Sequence, residues 1–474
     1  MTHKRNLIPA FAIIVVACTI LRATFSVAQT VTPTLTIDLL MDAFTAGQFR
    51  VITTKPTGDY RYTTNVDGLH LAAASDGVYR LADGQKLFDI SSYGSFSADG
   101  SNIVVASDGV YRVEDGALLL SVTAQSYFSP NGGYLVAIYD GLYRLSDGQK
   151  VLSILDSVVF SSDEAYVAVD LEGVYRLADG QRVFNYGTFS PDGATLAIAQ
   201  DGMYRLADGQ KLLDMTSYGV FSVDGAYLAV AGDAVYRVAD GQRLFSIPDG
   251  YPNFSNDGVY LGVEGDGIYR LADGQRLFNV SVSSGYPTFS GDGLHVAVMN
   301  DAVYRLADGQ QVFSMSSYGE FTEDSVYLVV VQDGVYRVAD GQKLFDISSF
   351  GELNSGVNYL SIDGDLYQLA DNQQVEALEL VDVAHGVLAV DNLLLVYDPN
   401  AQQTQMIVHV PTQASLYAEA DTAAEVVGIV TPDTGLLVLN QSADGAWYQV
   451  EYAGITGWIA AELVEVVYTP PDGF

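Results

Sequence analysis

Cysteine, tryptophan and histidine are rare in this sequence of 474 residues, which contains one, two and five of them, respectively. The one cysteine, Cys18, lies within the first 28 residues, so the rest of the chain has no thiol for a disulfide bond or a thiolate metal site. The four histidines beyond that segment are scattered, and no nucleophile elbow, phosphate loop or His-Glu-x-x-His motif accompanies them. The sequence therefore predicts no catalytic residue, no metal site and no cofactor.

Basic residues are also scarce. The chain has 22 lysines and arginines against 58 aspartates and glutamates, which gives a formal net charge of -36. Nucleic acid and anionic lipid are excluded as expected partners, because phosphate binding needs a basic surface. Many of the aspartates precede glycine in turn sequences, which favours a solvated acidic rim.

The only long apolar run lies at the start of the chain. A short basic stretch precedes this run, Leu7 to Leu21, and Ala28 ends a small-residue cleavage site. This arrangement predicts a signal peptide over residues 1–28 and a secreted or extracytoplasmic mature protein without a transmembrane domain. The alternative is a lipoprotein signal that ends at Cys18, which would make the protein membrane-anchored.

A motif close to VYRLADGQ, first seen complete from Val78 to Gln85, recurs every 29 to 35 residues. A fixed period in this range is typical of solenoids and propellers. The tyrosine of the motif lies at Tyr79, Tyr111, Tyr143, Tyr175, Tyr204, Tyr236, Tyr269, Tyr304 and Tyr336, with degenerate copies at Tyr367 and Tyr397.

Each unit divides into four short strands and four turns, as the unit from Val220 to Asn253 shows. Asp-Gly between two apolar runs favours a tight hairpin, so each unit is an antiparallel meander. Adjacent apolar residues such as Val235 and Tyr236 make both faces of the meander apolar, and each face needs a covering neighbour. We therefore predict an all-β β-propeller of about 10–11 short four-stranded blades. A single ring is favoured, and two rings of five and six units are the alternative.

The predicted domains are a signal peptide (1–28), a linker with a possible ring-closing segment (29–59), the β-propeller repeats (60–410), an SH3-like domain (411–468) and a tail (469–474). Asp38 to Ala46 reads as a short helix. Phe49 to Thr54 reads as a strand outside the repeat, and we expect it to close the ring beside Gln405 to Val410.

The repeats resemble those of WD-repeat propellers. Phe189 to Ala199 reads FSPDGATLAIA and Asp201 to Gln210 reads DGMYRLADGQ, which matches a Ser-Pro-Asp-Gly turn before a strand. Tyrosine and arginine replace the Trp-Asp pair of that family, and its Gly-His dipeptide is missing. The hydrogen-bonded tetrad of true WD repeats is therefore not carried over to this chain.

The segment from Ser415 to Glu465 resembles bacterial SH3 domains, small barrels of five to six strands that are common in exported proteins. The most specific part reads WYQV, then GITGWI, and contains Trp447 and Trp458. The early Arg-Ser-Gly-Pro element of the family is replaced by Tyr417 to Ala420. The resemblance implies cell-wall material as a partner, and we expect the two tryptophans in the core or groove of the barrel as ligand-binding candidates.

The arginine of the repeat is interpreted as structural. Each arginine is followed three residues later by an acidic residue, so we expect a buried, paired guanidinium whose loss would strongly destabilise the ring. This ladder comprises Arg80, Arg112, Arg144, Arg176, Arg205, Arg237, Arg270, Arg305 and Arg337.

Aromatic residues also recur in the loops between successive blades. On propeller geometry these loops share one side of the ring with turns such as Asp76-Gly77 and Asp201-Gly202, so that side combines aromatic and acidic groups. Packing between blades is the competing interpretation of these rings. The loop residues are Tyr93, Tyr186, Tyr218, Tyr251, Tyr286, Tyr318 and Phe350, of which the six tyrosines are ligand-binding candidates.

These features predict an exported, non-enzymatic binding or scaffold protein near the cell envelope, with an unknown protein, a peptide or a glycan as partner. The alternatives are a propeller enzyme, either a hydrolase or an oxidoreductase, and a purely structural spacer. The near-identity of the units argues against an enzyme, because a catalytic pocket needs different residues at one place. We also expect the chain up to Val410 to fold without the tail.

Overall fold

The computed structural model describes residues 35–54, 62–154, 156–170, 172–280, 285–347, 353–355, 359–362, 365–369 and 373–471. The predicted signal peptide, Cys18 and the loop residue Phe350 lie outside these residues. No helix within these ranges combines the length and the apolar character that a membrane span needs.

Within the described residues one α-helix, α1, spans Ile37–Thr45, as the sequence predicts. The Thr36 hydroxyl accepts a hydrogen bond from the Leu39 amide at 3.2 Å, which caps the helix. Gly47 then adopts a φ of 74°, a conformation that favours glycine, and ends the segment. The apolar side of α1 is buried against the last two blades.

Nine four-stranded antiparallel sheets follow in the described part of the chain, one for each of the first nine repeats. They confirm the predicted meander and the propeller blade. Each blade runs from an inner first strand to an outer fourth strand. The bounds are Tyr62–Thr64, His70–Ala73, Gly77–Arg80 and Gln85–Asp89 (blade 1); Gly94–Phe96, Asn102–Val105, Gly109–Arg112 and Leu118–Ser121 (blade 2); Ser126–Phe128, Tyr134–Ala137, Gly141–Arg144 and Lys150–Ser153 (blade 3); Val158–Phe160, Tyr166–Val169, Gly173–Arg176 and Gln181–Phe184 (blade 4); Thr188–Phe189, Thr195–Ile198, Gly202–Arg205 and Lys211–Asp214 (blade 5); Gly219–Phe221, Tyr227–Val230, Ala234–Arg237 and Gln242–Ser246 (blade 6); Pro252–Phe254, Tyr260–Val263, Gly267–Arg270 and Gln275–Asn279 (blade 7); Pro287–Phe289, His295–Val298, Ala302–Arg305 and Gln311–Ser314 (blade 8); and Gly319–Phe321, Tyr327–Val330, Gly334–Arg337 and Lys343–Asp346 (blade 9).

The last two blades share one seven-stranded sheet, because the strand Gln373–Asp382 is long enough to serve both. Its first residues pair with Asp365–Gln368 and its last residues pair with Val387–Val390. The strand Gln373–Asp382 is thereby both the outer strand of blade 10 and the inner strand of blade 11. Its strands are Leu353–Ser355, Tyr359–Ile362, Asp365–Gln368, Gln373–Asp382, Val387–Val390, Leu393–Tyr397 and Phe49–Thr53.

Buried apolar clusters join every blade to the next, from blade 1 to blade 11. A further cluster joins blade 11 back to blade 1: Leu71 and Tyr79 pack with Val387, Leu394 and Ile52. The described blades therefore form a single closed ring, and the alternative of two rings is wrong.

The segment Phe49–Thr53, the closing strand, does add a strand to the last blade, but its expected partner is wrong. It pairs with Leu393–Tyr397, and not with 405–410. Blade 11 ends after its third strand, so the closing strand fills the fourth position. Ile407–Val410 pairs instead with two strands of the C-terminal domain, where all four of its residues are buried.

A polar contact reinforces this closure. The Asp382 carboxylate of blade 11 accepts hydrogen bonds from the Thr64 hydroxyl of blade 1 and from Nδ1 of His385, the latter at 2.9 Å. The bond to Asp382 raises the pKa of His385, with Asp67 as a further nearby carboxylate. Burial works against ionisation of Asp382, but the bonds from His385 and Thr64 outweigh it and lower its pKa.

We expect ring stability to fall as the pH rises through the raised pKa of His385. A raised folded pKa contributes stability that is complete below the unfolded value of 6.5 and is lost above the folded value. Unfolding in denaturant at about pH 5.5 and about pH 8.5 measures this loss, which His385→Gln should remove. Burial lowers the pKa of His295, so His295→Gln should change the pH dependence in the opposite direction. Equal pH profiles for both variants and the parent would contradict the assignment.

The C-terminal domain is a seven-stranded sheet closed around its own core of Val408, Leu416, Val438, Val450 and Ile459. A short 3₁₀ helix, Ala461–Leu463, precedes the last strand. The strands are Ile407–Val410, Ala414–Tyr417, Val426–Val430, Thr434–Gln441, Trp447–Tyr452, Ile455–Ala460 and Glu465–Tyr468.

This domain is docked on the ring. Ile407 and Tyr468 belong to the same buried cluster as α1 and the last two blades. Nδ1 of His409 lies 2.6 Å from the Asp391 carboxylate. A chain cut after Val410 would keep one strand of the C-terminal sheet without its partners, so the expectation that such a chain folds alone loses its basis.

Candidate functional site

The repeated tyrosine packs between blades. In blade 2, the ring of Tyr111 stacks on Phe88 of blade 1 with centroids 6.1 Å apart, and Tyr336 stacks on Phe313 at 5.0 Å. In blade 1, the Tyr79 hydroxyl donates to the Asp76 carboxylate at 2.6 Å. Burial and this hydrogen bond raise the pKa of Tyr79, so the phenol stays neutral.

The aspartate before the third strand also receives a cation from the fourth strand. Lys86 Nζ lies 2.6 Å from the Asp76 carboxylate and 5.8 Å from the centre of the Tyr79 ring. In six blades the turn aspartate is therefore paired within its own blade, which reduces the negative charge that these residues were expected to supply to a binding surface. The same ion pair is formed by Lys150, Lys211, Arg243, Arg276 and Lys343.

All nine arginines of the ladder pair with the aspartate three residues later, at distances from 2.6 to 3.5 Å. Their expected burial is wrong, because 37% to 49% of each arginine side chain is exposed. Each arginine is the last residue of its strand, so its guanidinium bends over the following turn and stays at the surface.

We expect Arg205→Ala to leave the thermal midpoint unchanged within error, because exposed ion pairs contribute little to stability. Differential scanning calorimetry measures the midpoint, and Leu206→Ala, which empties a buried position beside it, is the positive control. A fall as large as that of the control would restore the buried interpretation of the ladder.

The inter-blade tyrosines lie beside the turns that precede the third strands. The carbonyl oxygen of Tyr218 accepts from the Ala231 amide at 3.1 Å, and that of Tyr251 accepts from the Glu264 amide at 3.1 Å. We call this side of the ring the tyrosine face. The Asp-Gly-Gln turns lie at the opposite ends of the strands.

Four of these tyrosines follow one another on blades 6 to 9, and neighbouring members interact. The rings of Tyr218 and Tyr251 are 5.1 Å apart, and the Tyr218 hydroxyl donates to the Gly250 carbonyl at 3.2 Å. Burial raises the pKa of Tyr286 and of Tyr318 to about 12, and the Tyr318 phenol further raises the pKa of Tyr286. The row thus places tyrosines on four successive blades, and the pKa values of Tyr218, Tyr286 and Tyr318 are raised.

Exposure differs along the tyrosine face. Tyr251 is 51% exposed, whereas Tyr218, Tyr286 and Tyr318 are partly buried, so the row combines packing with accessible aromatic surface. Tyr186 is 38% exposed on blade 5, next to the row, whereas Tyr93 is 37% exposed on blade 2, away from it.

Two carboxylates border the row. Asp249 is exposed in the loop before Tyr251, and Glu264 is partly exposed in the turn after the second strand of blade 7. After burial and Tyr251, Glu264 and Asp249 are the groups that raise the pKa of Tyr218. An accessible aromatic surface with nearby negative charge can stack on a sugar ring and attract an amino group.

The C-terminal domain has a second aromatic surface. Trp447 and Trp458 alternate along their strands with the buried residues Tyr448 and Ile459, so they lie on the outward side of the sheet. Of their two expected positions, in the core or in the groove of the barrel, the core is therefore excluded. Tyr417 pairs with Trp458 across the strands and contacts Trp447 edge to face at 5.5 Å.

Other apolar side chains enlarge this surface. Val426 and Ile429 on the neighbouring strand are 49% and 53% exposed and pair with the strand that carries Tyr417. The period-two alternation of a strand over residues 447–450 was the sequence signal that Trp447 lies on the side opposite to Tyr448. The sequence motifs did not indicate the aromatic contacts of Tyr417. They also did not indicate the ion pairs between the turn aspartates and the fourth strands.

Among the described residues, no group of three or more histidine, cysteine, aspartate and glutamate side chains could hold a metal ion. His385 and His409 each contact a single aspartate, at the ring closure and at the docking of the C-terminal domain. Burial lowers the pKa of His70 and of His295, so both favour the neutral form.

The model of the family described as "Bacterial SH3 domain" matches residues 412–465. No curated protein matches the chain. Similar solved structures include a eukaryotic initiation factor (12% identity, 64% of this chain and 90% of that chain, TM-score 0.37) and the β-propeller domain of Myceliophteria thermophila Cps50 (13%, 55% and 97%, 0.23). Porphyromonas gingivalis dipeptidyl peptidase 4 is also similar (13%, 67% and 62%, TM-score 0.33). The chain thus carries a bacterial SH3 domain at residues 412–465, after a series of WD-like propeller blades.

Proposed function

We propose that the protein is an extracytoplasmic, non-enzymatic binding protein of the cell envelope that recognises peptidoglycan. Its leader sequence and its SH3 domain support this location. The tyrosine row on blades 6 to 9 and the outward aromatic surface of the SH3 domain are the two binding surfaces.

The observation that carries the proposal is the exposed Tyr251 ring beside Tyr218, with Asp249 and Glu264 at its border. Sugar rings have apolar faces that stack on tyrosine, and stem peptides carry amino groups that carboxylates attract. Peptidoglycan presents both groups on one polymer, so it fits this combination better than a neutral glycan.

Sedimentation of the whole mature chain with purified peptidoglycan sacculi tests the proposal. We expect Tyr251→Ala to weaken binding about tenfold, because a central aromatic contact is lost, and the combined change Trp447→Ala and Trp458→Ala to weaken it similarly. Tyr139→Ala is the matched control, since Tyr139 is 79% exposed on blade 3 and lies away from the row.

All variants change exposed or partly exposed side chains, so circular dichroism should show intact folds. Failure of the parent chain to sediment with sacculi would refute the proposal. Equal losses for Tyr139→Ala and Tyr251→Ala would show that the tyrosine row is not the site.

A further inference from the structure

The outer strand of blade 2, Leu118–Ser121, differs from the other outer strands of the ring. It has no charged or amide side chain, and Leu118 and Leu119 are 53% and 41% exposed. It forms one edge of its four-stranded sheet, so one row of its backbone amide and carbonyl groups has no partner strand in that sheet.

The position that corresponds to Leu118 is polar in the other four-stranded blades. Proteins protect exposed strand edges with charged side chains, above all lysine, because an uncharged edge pairs readily with another strand. Blade 11 carries Arg50 on its closing strand, and blade 10 begins its outer strand with Gln373 and Gln374. In the other four-stranded blades the residue equivalent to Leu118 is Lys86, Lys150, Arg182, Lys211, Arg243, Arg276, Gln311 or Lys343, whereas the residue equivalent to Leu119 is apolar in each of them.

Because position 118 is a leucine, the nearby Asp108 carboxylate has other partners than the equivalent Asp76 of blade 1. In blade 1 the equivalent Lys86 bridges Asp76, whereas no basic side chain of the described residues forms an ion pair with Asp108 of blade 2. Asp108 accepts hydrogen bonds from the Tyr111 hydroxyl at 2.9 Å and from the Ser91 hydroxyl at 2.8 Å. Blade 2 therefore combines an uncharged edge with a carboxylate that lacks the cation found in blades 1, 3, 5, 6, 7 and 9.

We propose that this edge is a docking site for an extended segment of a partner protein, which adds a fifth antiparallel strand to blade 2. The segment carries apolar residues that cover Leu118 and Leu119 and a lysine or arginine that reaches Asp108. Main-chain hydrogen bonds supply the affinity and the basic residue supplies the selectivity.

A second copy of this chain fits the edge less well. Each copy carries a net charge of -36, so self-pairing would bring two strongly acidic molecules together. Like charges at such a junction oppose association, whereas a basic segment is attracted.

Fluorescence anisotropy on the whole mature chain tests this docking site. The probe is a labelled, capped peptide of about eight residues that alternates valine with threonine and has one central lysine. We expect the parent chain to bind it, and Leu118→Lys to bind it at least about tenfold more weakly. The variant should fold, because lysine occupies the equivalent position in blades 1, 3, 5 and 9.

Val466→Lys is the matched control, since Val466 is 48% exposed on a strand of the C-terminal domain, and it should bind like the parent. A peptide with glutamate in place of lysine should bind weakly. Equal affinity of Leu118→Lys and the parent, or of the two peptides, would overturn the proposal. A dimer of the parent chain that Leu118→Lys dissociates in sedimentation velocity, without peptide binding, would assign the edge to a second copy and would also overturn it.

Discussion

Tyr468→Ala is expected to destabilise the propeller ring and the SH3 domain together, by about 4 kcal/mol, because it removes a buried aromatic side chain at their junction. Tyr468 is 4% exposed, and its ring lies 5.1 Å from Phe49 of the closing strand and 5.5 Å from Phe44 of α1. Its hydroxyl donates to the Gln403 carbonyl at 3.0 Å. The last strand of the SH3 domain, Glu465–Tyr468, thereby packs against the closing strand of the ring, Phe49–Thr53.

Unfolding in denaturant, followed by two signals, measures this coupling. Both tryptophans of the chain lie in the SH3 domain and report its unfolding by fluorescence, whereas circular dichroism reports mainly the larger ring. We expect the two transitions to coincide in the parent and to shift together in Tyr468→Ala. Val466→Ala, at an exposed position of the same strand, is the control and should cause little change. A shift of the fluorescence transition alone would show two independent domains.

Lys86→Ala is expected to cost about 2 kcal/mol, because it takes the cation away from a buried carboxylate. The side chain of Asp76 is 6% exposed and that of Lys86 is 34% exposed, so solvent screens part of the effect. After the substitution, Asp76 keeps the hydrogen bond from Tyr79 but loses the attraction of the ammonium group.

Blade 5 offers a matched control for this prediction. Lys211 makes the same contact with Asp201 at 2.9 Å and lies 5.6 Å from the centre of the Tyr204 ring, but 38% of Asp201 is exposed. We expect Lys211→Ala to have a much smaller effect on the denaturation midpoint, because water can solvate Asp201. Equal effects of the two substitutions would show that burial of the carboxylate does not control the contribution of the ion pair.

The propeller could be predicted from the sequence because each repeat contains its own turn signals and its own apolar pattern. Tyr79 and its equivalents fix the period, and the Asp-Gly turns fix the strand boundaries. The partner of the closing strand could not be predicted, because residues 393–397 and 407–410 are both apolar and both lie at the C-terminal end of the repeat region. Only the vacant fourth position of blade 11 distinguishes them.

The surfaces were harder to predict than the fold. Arg205 and its equivalents were assigned to the interior because charge spacing alone shows a partner but not burial. Trp447 was expected in the core or the groove of the barrel on residue type, and alternation with Tyr448 places it on the outward side. The lysine of the fourth strand pairs with an aspartate ten residues earlier across a bulged hairpin, a contact that a local motif does not contain.

Hydrogen exchange on the whole mature chain, with and without soluble peptidoglycan fragments, tests the central claim most directly. Backbone amides that a ligand covers exchange more slowly, so the measurement locates the binding surface without any substitution. We predict slower exchange in the loops around Tyr218 and Tyr251 and in the strands that carry Tyr417 and Trp458. Protection confined to the Asp-Gly-Gln turns on the opposite side of the ring, or no change with saturating fragments, would contradict the account.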